Sequence, residues 1–386
     1  MADLVVAGGG PAGAALAIFA GRAGISVDLF DEARFPREKA CGEGLMPSGV
    51  AVLDRLGLRP QVGGQPFAGV RYRGFGITAQ MRFPSRPAAD TNEEERPLYG
   101  LGQRRLVLDA ALLAEARATP HVRVFEGAPV EAVVRRAGRA IGLRVGGATV
   151  PASLVIGADG ARSRVRRGLG LDGPAGRHPR FGVRMHFRLA PGRQVPALVE
   201  IFVGDGHEMY VTPLPGGEVL VAALAERGPT SADARTTLGS WIAQHADLAA
   251  LLEGAQQISA PRGRFPLGHS ARAGIAPGAV LLGDAAGFCD PITGGGIAQA
   301  LLSAELLASY LPRALADRDD EWLWRFDRRR RAMLRAYATL TRALVLVARR
   351  PSWTRWTLRQ MRAHPQALQH LVAIAAGLRL SGRRRR

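Results

Sequence analysis

The feature that most constrains the fold is a glycine-rich segment near the start of the chain, Leu4-Val-Val-Ala-Gly-Gly-Gly-Pro-Ala-Gly13. Its first four residues are apolar and typical of a buried strand, and residues 14–23 are typical of the helix that follows. Gly8, Gly10 and Gly13 have the G-x-G-x-x-G spacing. This spacing permits a tight turn, the close approach of a pyrophosphate and close packing of the helix on the strand.

An acidic residue downstream supports a nucleotide site. Residues 26–30 are predicted to form the second strand, and Asp31 ends it. This position is close to the offset of ~20 residues at which an acid binds ribose hydroxyls. The phosphates are expected at the N-terminus of the first helix, where Ala12 lies and where N–H groups lack intrahelical acceptors. A glycine-rich turn of some other α/β protein would not require strand, helix and acid in this order.

Length and composition indicate a globular protein with two or three lobes. The chain has 386 residues, of which 47% are hydrophobic. The longest apolar runs fall far below the ~18 residues typical of a membrane span. Because the first strand begins at Asp3, no signal peptide is expected before it. The two cysteines, Cys41 and Cys289, do not suggest a secreted disulfide framework, so we expect a cytoplasmic location.

The charge favours anionic small molecules over nucleic acid. The net charge is +19, which by itself is compatible with nucleic-acid or membrane binding. Lys39 is, however, the only lysine, and arginines occur throughout the chain without an aromatic and basic stacking platform. We therefore expect a small-molecule substrate and cofactor phosphates, and no nucleic-acid partner.

Segments with fully apolar strands and segments with alternating apolar and polar residues follow one another along the chain. This arrangement predicts two interleaved domains. The predicted fold class is α/β, or α+β overall, with a Rossmann-like nucleotide-binding domain formed by residues 1–66, 100–178 and 262–324. Strands with alternating apolar and polar residues predict an antiparallel-sheet substrate domain formed by residues 67–99 and 179–261. The remainder, residues 325–386, is predicted to be a helical C-terminal segment with a basic tail.

Several local predictions follow from turn and capping residues. Ser48 is expected to be the N-cap of a helix over residues 49–56. A hairpin is expected within residues 142–150, separate from a buried strand over residues 154–158. Residues 85–97 are expected to form a surface excursion, and a helix is expected from residue 230 to about residue 246.

Two later motifs narrow the type of nucleotide. Asp159-Gly160 directly follows a predicted buried strand, and Gly283-Asp284 is followed by Asp290-Pro-x-x-Gly-Gly-Gly-Ile297. With the first glycine motif, they resemble in type and order the motifs of the para-hydroxybenzoate-hydroxylase-like FAD-dependent monooxygenase superfamily. The resemblance covers residues 1 to about 310. Residues 35–45, Phe-Pro-Arg-Glu-Lys-Ala-Cys-Gly-Glu-Gly-Leu, resemble the branch of geranylgeranyl reductases and related hydroxylases.

The resemblance implies noncovalently bound FAD. It places Asp31 at the adenosine ribose, Arg105 near the phosphate or ribityl chain, backbone groups of Val130 at the adenine and Asp284 at a ribityl hydroxyl. N–H groups of residues 294–297 are expected at the N1/O2 edge of the flavin, where a helix N-terminus stabilises negative charge. The positions expected at the cofactor are Gly8, Gly10, Ala12, Gly13, Asp31, Arg37, Cys41, Gly42, Arg105, Val130, Asp159, Gly160, Asp284, Pro291, Gly294, Gly295, Gly296 and Ile297.

Other residues have two readings. Cys41 matches a position near the flavin in the reductase branch and is the one candidate for a catalytic residue, although a small buried thiol would look the same. Arg37 and Lys39 are candidates for binding flavin or nicotinamide phosphates, or are solvated loop charges. Polar residues on the predicted strands are candidates for the substrate pocket, although alternation alone would turn them towards solvent: Arg184, His186, Glu200, Tyr210 and Thr212.

The C-terminal segment also has two readings. Apolar residues recur at helical spacing among arginines and tryptophans, which predicts either a helical cap on the nucleotide-binding domain or weak contact of basic amphipathic helices with an anionic membrane.

The reaction expected first is that of an FAD-dependent monooxygenase that uses transiently bound NAD(P)H and O2 on an apolar aromatic or polyketide-like molecule. The alternative is a reductase of isoprenoid double bonds. That branch has a Tyr-x-Trp-x-Phe-Pro pattern, whereas this chain has Tyr210-Val-Thr-Pro-Leu-Pro215, without the tryptophan. A halogenase and a non-catalytic basic binding protein rank lower. No metal site is expected, and the oligomeric state stays open.

Overall fold

The computed structural model describes residues 1–86, 96–174, 180–226, 234–317 and 319–378.

The strands are, in chain order, β1 (Ala2–Ala7), β2 (Val27–Asp31), β3 (Gly44–Leu45), β4 (Gln65–Phe67), β5 (Gly69–Gly74), β6 (Ile77–Arg82), β7 (Ser85–Arg86), β8 (Arg96–Pro97), β9 (Gly100–Gly102), β10 (Val122–Glu126), β11 (Val130–Arg136), β12 (Arg139–Val145), β13 (Ala148–Gly157), β14 (Arg180–Arg188), β15 (Val199–Val203), β16 (His207–Leu214), β17 (Glu218–Ala225), β18 (Gln256–Gln257), β19 (Arg262–Leu267), β20 (Ile275–Ala276) and β21 (Ala279–Leu281).

The α-helices are α1 (Pro11–Arg22), α2 (Pro47–Leu56), α3 (Arg59–Val62), α4 (Arg105–Ala118), α5 (Arg164–Gly168), α6 (Ala234–Ala243), α7 (Ala246–Leu251), α8 (Gly296–Ala308), α9 (Leu311–Ala316), α10 (Glu321–Ala348), α11 (Pro351–Ala363) and α12 (Pro365–Ala375). Two 3₁₀ helices cover Gly283–Ala286 and Pro291–Thr293.

The first sheet brings the three sequence motifs to one edge. Its strand order is β10-β2-β1-β13-β12-β11, with β21 also paired to β13. The strands β10, β2, β1, β13 and β21 are parallel. Because β1, β13 and β21 are neighbours, the motifs that follow their carboxyl ends lie together, at the edge where open α/β sheets bind ligands. Helices α1 and α8 pack against each other beside this sheet.

Strand β13 corrects one local prediction. The expected hairpin strand and the expected buried strand are one continuous strand. Its first residues pair antiparallel with β12, and its last residues pair parallel with β1 and β21. The polar start and apolar end of this strand differ because only its second half is buried on both faces.

The second sheet has the order β18-β14-β17-β16-β15-β5-β6, and β19 also pairs with β14. Strand β19 was assigned from the sequence to the nucleotide-binding domain. It belongs to the second sheet instead, because its backbone hydrogen-bonds to β14 between Arg180 and Arg184. The division into domains otherwise remains a prediction.

The C-terminal segment is helical, as predicted. Helix α10 packs on α8, and α11 and α12 lie against β6 of the second sheet. The mixed α/β class with a helical C-terminal segment is confirmed. Within the described ranges, none of the helices is long and apolar enough to cross a membrane. The predicted basic tail lies in residues 379–386, outside the described residues.

Two helix boundaries differ from the sequence prediction. Helix α2 begins at Pro47 with Met46 as its N-cap, because proline is favoured at the first helical position. Ser48 is thus inside the helix, and its hydroxyl has no hydrogen-bond partner among the described residues. The helix expected to about residue 246 ends at Ala243, and a second helix, α7, begins at Ala246 after His245, which adopts an extended backbone. The start of that predicted helix, and most of the 85–97 excursion, lie outside the described residues.

Candidate functional site

The turn after β1 has the glycine geometry that a bound pyrophosphate requires. Gly8 has a φ of +102°, and a Cβ there would lie 2.8 Å from the Cα of Asp159. A Cβ on Gly13 would overlap the carbonyl oxygen of Gly8, so α1 can pack this close only with glycine. Above Gly10 the nearest atom to an added Cβ would be Nη2 of Arg37, at 3.6 Å. That space is open to a ligand at the N-terminus of α1.

Asp31, the predicted ribose-binding residue, lies against this turn. Its Oδ2 accepts a hydrogen bond from the Gly9 N–H at 2.7 Å, and its Oδ1 accepts one from the Ala33 N–H at 2.8 Å. A carboxylate has about four acceptor sites, so both oxygens keep capacity for sugar hydroxyls. The same carboxylate therefore orders the glycine turn and borders the predicted ribose position.

The Asp159-Gly160 motif contributes a buried acceptor. Asp159 Oδ2 accepts from the N–H groups of Arg164 and Val165, at 2.7 and 3.1 Å, and so caps α5. Its Oδ1 is buried and has no hydrogen-bond partner among the described residues. A buried acceptor of this kind is costly unless a ligand or water satisfies it. The Val130 carbonyl, expected at the adenine, accepts from Arg164 Nη1 at 2.9 Å, and its second lone pair keeps capacity for another donor.

Three cationic side chains, Arg37, Lys39 and Arg105, lie between the glycine turn and the cavity that the third glycine run borders. Arg105 forms two 2.7 Å hydrogen bonds with Asp109, and Arg37 lies 3.0 Å from the same carboxylate. Burial, and then the charges of Arg37 and Arg105, lower the pKa of Lys39. Excess positive charge beside an open helix N-terminus fits the diphosphate of a dinucleotide. The buried Nη1 of Arg37 meets the Asp109 carboxylate as an ion pair without hydrogen-bond geometry, so its N–H groups keep capacity for a phosphate oxygen.

The Gly283-Asp284 motif lies against the first motif. A Cβ on Gly283 would be 3.1 Å from the Cβ of Ala12 in α1. The Asp284 side chain reaches the cavity, and its charge raises the pKa of Lys39, although burial and nearby arginines outweigh this effect. The His269 ring contacts the Asp284 carbonyl oxygen through Nε2 at 2.5 Å and holds this turn. Asp284 therefore lies between the phosphate end and the cavity, as a ribityl-binding residue would.

The third glycine run forms the start of α8. Gly294 has a φ of +67°, and a Cβ on Gly295 would lie 2.5 Å from Cε2 of Tyr337. Pro291, Gly294, Gly296 and Ile297 line the cavity. The N-terminus of α8 thus presents N–H groups at the cavity wall, where they stabilise negative charge. These features fit the flavin ring of FAD.

The cavity has a volume of about 1650 Å³, solvent at its mouth included. One wall is the loop that contains Cys41 and Gly42, and another is the second sheet. The C-terminal helices provide a third, aliphatic wall: Leu340, Leu344, Met361, Leu368, Leu371, Val372 and Ala375. The cavity therefore runs from the predicted flavin position to an apolar space under the C-terminal helices.

The structure brings together only some of the predicted substrate residues. Arg184, Tyr210 and Thr212 line the cavity. His186 does not: it is fully buried, with Nε2 2.8 Å from Glu43 and Nδ1 2.9 Å from Ser259. Glu200 binds arginines of β5 and lies outside the cavity wall.

Solvent exposure, the other reading of these strand residues, is wrong for all five. Arg184 is 2% exposed, Tyr210 is half-buried, and the rest are buried. These residues are buried because the second sheet is also covered on its other face. Helices α6 and α7 cover part of that face, and the loop that contains Lys39 and Cys41 covers another part.

Cys41 lies on the cavity wall beside Arg105. Its Sγ accepts a hydrogen bond from the Glu43 N–H at 3.4 Å. Cys41, like Asp109, raises the pKa of Arg105. Burial lowers the pKa of Arg105, but these partners raise it overall. The thiol is thus placed to contact a ligand, and its catalytic role remains a prediction.

Glu43 is a site residue that sequence reasoning missed. It is buried with a φ of +56°, a conformation that is uncommon for a residue with a side chain. Its carboxylate accepts from the Arg105 N–H at 3.0 Å and contacts His186 at 2.8 Å. Glu43 therefore ties the cavity loop to α4 and β14. Its position between two glycines was the available signal.

A buried acidic network beside the cavity was also missed. The Tyr210 hydroxyl donates to Glu208 Oε2 at 2.8 Å, and Arg180 binds Glu208 at 3.2 Å and Asp290 at 2.9 Å. Burial raises the pKa of Glu208, and Arg180 offsets this only in part. Burial, and then the charge of Glu208, raise the pKa of Tyr210 well above its usual value. Burial likewise raises the pKa of Tyr72, which also lines the cavity, to about 12.

Comparison with known proteins agrees with this site. The sequence model of a family described as "FAD binding domain" matches residues 1–341. Menaquinone reductase of Mycolicibacterium smegmatis is 33% identical over 331 residues, which cover 80% of this chain and 76% of the relative.

Two further relatives have names that describe different reactions, one as a reductase and one as a monooxygenase. Digeranylgeranylglycerophospholipid reductase of Thermoplasma volcanium is 26% identical over 82% of this chain and 79% of its own. The 6-methylpretetramide 4-monooxygenase of Streptomyces rimosus is 34% identical over 44% of this chain and 41% of its own.

A solved structure shares the fold. The flavoprotein/dehydrogenase of Cytophaga hutchinsonii superposes with a TM-score of 0.80 at 22% identity, and the match covers 97% of this chain and 92% of that one.

Proposed function

Because this chain belongs to the family of FAD-binding domains, we propose that it is a flavin-dependent reductase that saturates an isoprenoid double bond of an apolar molecule. FAD is its cofactor, and the chain is a FAD-dependent oxidoreductase. A monooxygenase of the kind expected first from the sequence remains the second candidate.

The observation that carries the reductase proposal is the aliphatic wall formed by the C-terminal helices. Its leucines, valine and methionine match a branched hydrocarbon chain, which binds by burial of apolar surface rather than by hydrogen bonds. Relatives that align over about four fifths of this chain include one named as a reductase of menaquinone and one named as a reductase of a digeranylgeranyl lipid. The missing tryptophan in the segment from Tyr210 to Pro215 would change the shape of this space rather than its apolar character.

The residues of the site have separate tasks in holding the cofactor. The α1 N-terminus, with Arg37 and Lys39, would bind the diphosphate, Asp31 the ribose and Asp284 the ribityl chain. The N–H groups at residues 294–297 would border the flavin ring. When bound, FAD supplies the hydride that such a reduction needs. We expect noncovalent binding and NAD(P)H as a transient reductant.

Reduction of a carbon–carbon double bond also requires a proton, and the buried network can deliver one. Tyr210 lies in the cavity wall with its hydroxyl bonded to Glu208. Because burial raises the pKa of Glu208, its carboxyl holds a proton more readily than an exposed glutamate does and is suited to donate one. For this transfer a protonated Glu208 donates to the Tyr210 oxygen, the Tyr210 hydroxyl turns to the substrate and gives it a proton, and the Glu208 proton replaces the one lost, leaving Glu208 as a carboxylate. Arg180 keeps the Glu208 carboxyl in place through this transfer.

The apolar lining of the cavity would limit the water around a bound substrate, which matters for either reaction. The apolar wall borders the predicted flavin position, and Thr212 donates to the Gly42 carbonyl at 2.8 Å to keep the loop closed over the sheet. A cytoplasmic location stays a proposal, and it agrees with both Cys41 and Cys289 being free thiols.

The test is anaerobic turnover of the flavin-loaded protein, reduced with dithionite, on a geranylgeranyl-bearing quinone. We expect products that gain two hydrogens for each reduced bond, detected by mass spectrometry. Unchanged substrate in the absence of oxygen, with oxygenated product after air is admitted, would instead support the monooxygenase. That candidate is favoured by the match to the 6-methylpretetramide 4-monooxygenase over 180 residues.

A further inference from the structure

The corner between α10 and α11 carries an exposed apolar patch. Leu346, Trp353 and Trp356, here called the corner patch, are 55%, 48% and 62% exposed. Trp353 and Trp356 are three residues apart, so they lie on the same side of α11. The opposite side of α11 is buried through Thr354, Leu358 and Met361. This helix therefore has an apolar side against the protein and a second apolar side towards solvent.

The sequence that carries the corner patch has only positive charges, and one acid from elsewhere in the chain, Glu226, lies beside it in an ion pair with Arg349 at 2.7 Å. Although arginines occur throughout the chain, no Asp or Glu follows Asp327, whereas 16 arginines do. Arg350, Arg355 and Arg359 are exposed on the patch helix or its approach, and the Arg350 guanidinium lies 4.3 Å from the centroid of the Trp353 ring. Tryptophan beside arginine is the combination that binds the interface of a bilayer, where the ring lies among headgroups and the cation meets anionic lipid.

The same helices form the aliphatic wall of the cavity. Leu344, two residues before Leu346, lines the cavity, and so does Met361 on the buried side of α11. The corner patch and the cavity wall are thus opposite sides of one layer of helices. A protein held by this corner would keep its apolar cavity one helix away from the lipid.

We propose that the corner patch docks this protein on the surface of a bilayer that contains anionic phospholipid, with α11 in the plane of the interface. Each arginine near such a surface contributes about 1 kcal/mol, and the contribution falls with salt. Docking itself does not depend on the reaction. Delivery of a membrane-borne substrate to the cavity rests on the proposed reductase function.

The test is flotation of the full chain with vesicles of phosphatidylcholine alone or mixed with phosphatidylglycerol. We expect binding only to the mixed vesicles, weakened by salt. The double variant Trp353→Ala/Trp356→Ala should bind at least tenfold more weakly, and Arg350→Gln/Arg355→Gln about fivefold more weakly per arginine. The matched control is Trp324→Ala, which removes a tryptophan of similar exposure, 46%, about 30 Å away along α10. It should bind as the unchanged protein does.

Two results would overturn the docking proposal. One is the absence of binding to mixed vesicles. The other is binding that the double tryptophan variant retains in full. Tight binding of a single-stranded oligonucleotide that the same variant abolishes would assign the patch to nucleic acid instead, where bases stack on aromatic rings.

Turnover separates docking from the reaction. With substrate in detergent micelles, the double tryptophan variant and the unchanged protein should reduce it at equal rates. With substrate in mixed vesicles, the variant should be slower. Failure of both proteins to reduce either form would refute the reductase and leave the flotation result standing.

Discussion

Substitution of alanine for two glycines of the first motif separates folding from cofactor binding. At Gly13 an added Cβ would overlap the carbonyl oxygen of Gly8 and lie 3.2 Å from the Cβ of Ala158. Neither neighbour yields easily, because the Gly8 N–H is bonded to the Phe30 carbonyl and the Ala158 N–H to the Ala7 carbonyl. At Gly10 the nearest atom is the end of the Arg37 side chain at 3.6 Å, which is ordinary contact.

The two variants should therefore fail in different ways. Overpacking of this kind costs about 1–3 kcal/mol, so Gly13→Ala should lower the Tm of the flavin-free protein by several degrees. Gly10→Ala should leave that Tm unchanged. It should weaken FAD binding by about 5- to 150-fold, because the same 1–3 kcal/mol penalty then falls on the bound phosphate.

Thermal unfolding of the flavin-free protein and titration of flavin fluorescence measure the two effects. Gly239→Ala is the control, since its added Cβ would meet no atom within 4 Å and it lies in α6, away from the site. If Gly10→Ala binds FAD as tightly as the unchanged protein, the phosphate does not lie above Gly10. If Gly13→Ala unfolds at the same temperature as the unchanged protein, the close packing at Gly13 does not limit its stability.

Three further substitutions test the buried charges. Tyr210→Phe should lower kcat about 10²-fold or more with little change in KM, because it interrupts the proton relay from Glu208. Steady-state kinetics measure both constants, and an unchanged kcat would show that Tyr210 does not donate the proton. Asp109→Asn should destabilise the flavin-free protein by about 3–5 kcal/mol in urea unfolding, because its two arginine partners lose their buried counter-charge, and added FAD should restore part of this. The pKa of Glu208 is raised in the folded state, so its stabilising contribution is complete below pH 4.5 and is lost as the pH rises through the raised value. Glu208→Gln should accordingly gain Tm relative to the unchanged protein as the pH rises above 4.5, and a difference in Tm that does not change with pH would contradict the raised pKa.

The parts of the site that sequence reasoning located are those governed by local geometry. Gly8 and Gly13 are required by close backbone contacts, so their spacing alone identifies the turn. Asp159 and Asp284 follow apolar strands that pair side by side, and apolar runs of this length are readable as strands. The parallel pairing of β1, β13 and β21 then brings these acids together.

The parts that were missed depend on contacts distant in sequence. Glu208 and Arg180 occur on alternating strands and have the pattern of solvent-facing residues. They are buried because other elements cover that side of the sheet. The periodicity around Leu340 and Leu344 predicted an apolar helix face, but only the packing shows that this face lines the cavity. Ser48 looked like a helix cap because Pro47 could equally precede or begin the helix.

In the proposed reaction, reducing equivalents reach a carbon–carbon double bond of an apolar substrate and not oxygen. The most direct measurement is the ratio of double bonds lost to NAD(P)H consumed, made on one reaction under isotopically heavy oxygen gas. For a reductase we expect one double bond saturated for each NAD(P)H oxidised and no heavy oxygen in the product. Incorporation of heavy oxygen, with every double bond retained, would contradict it.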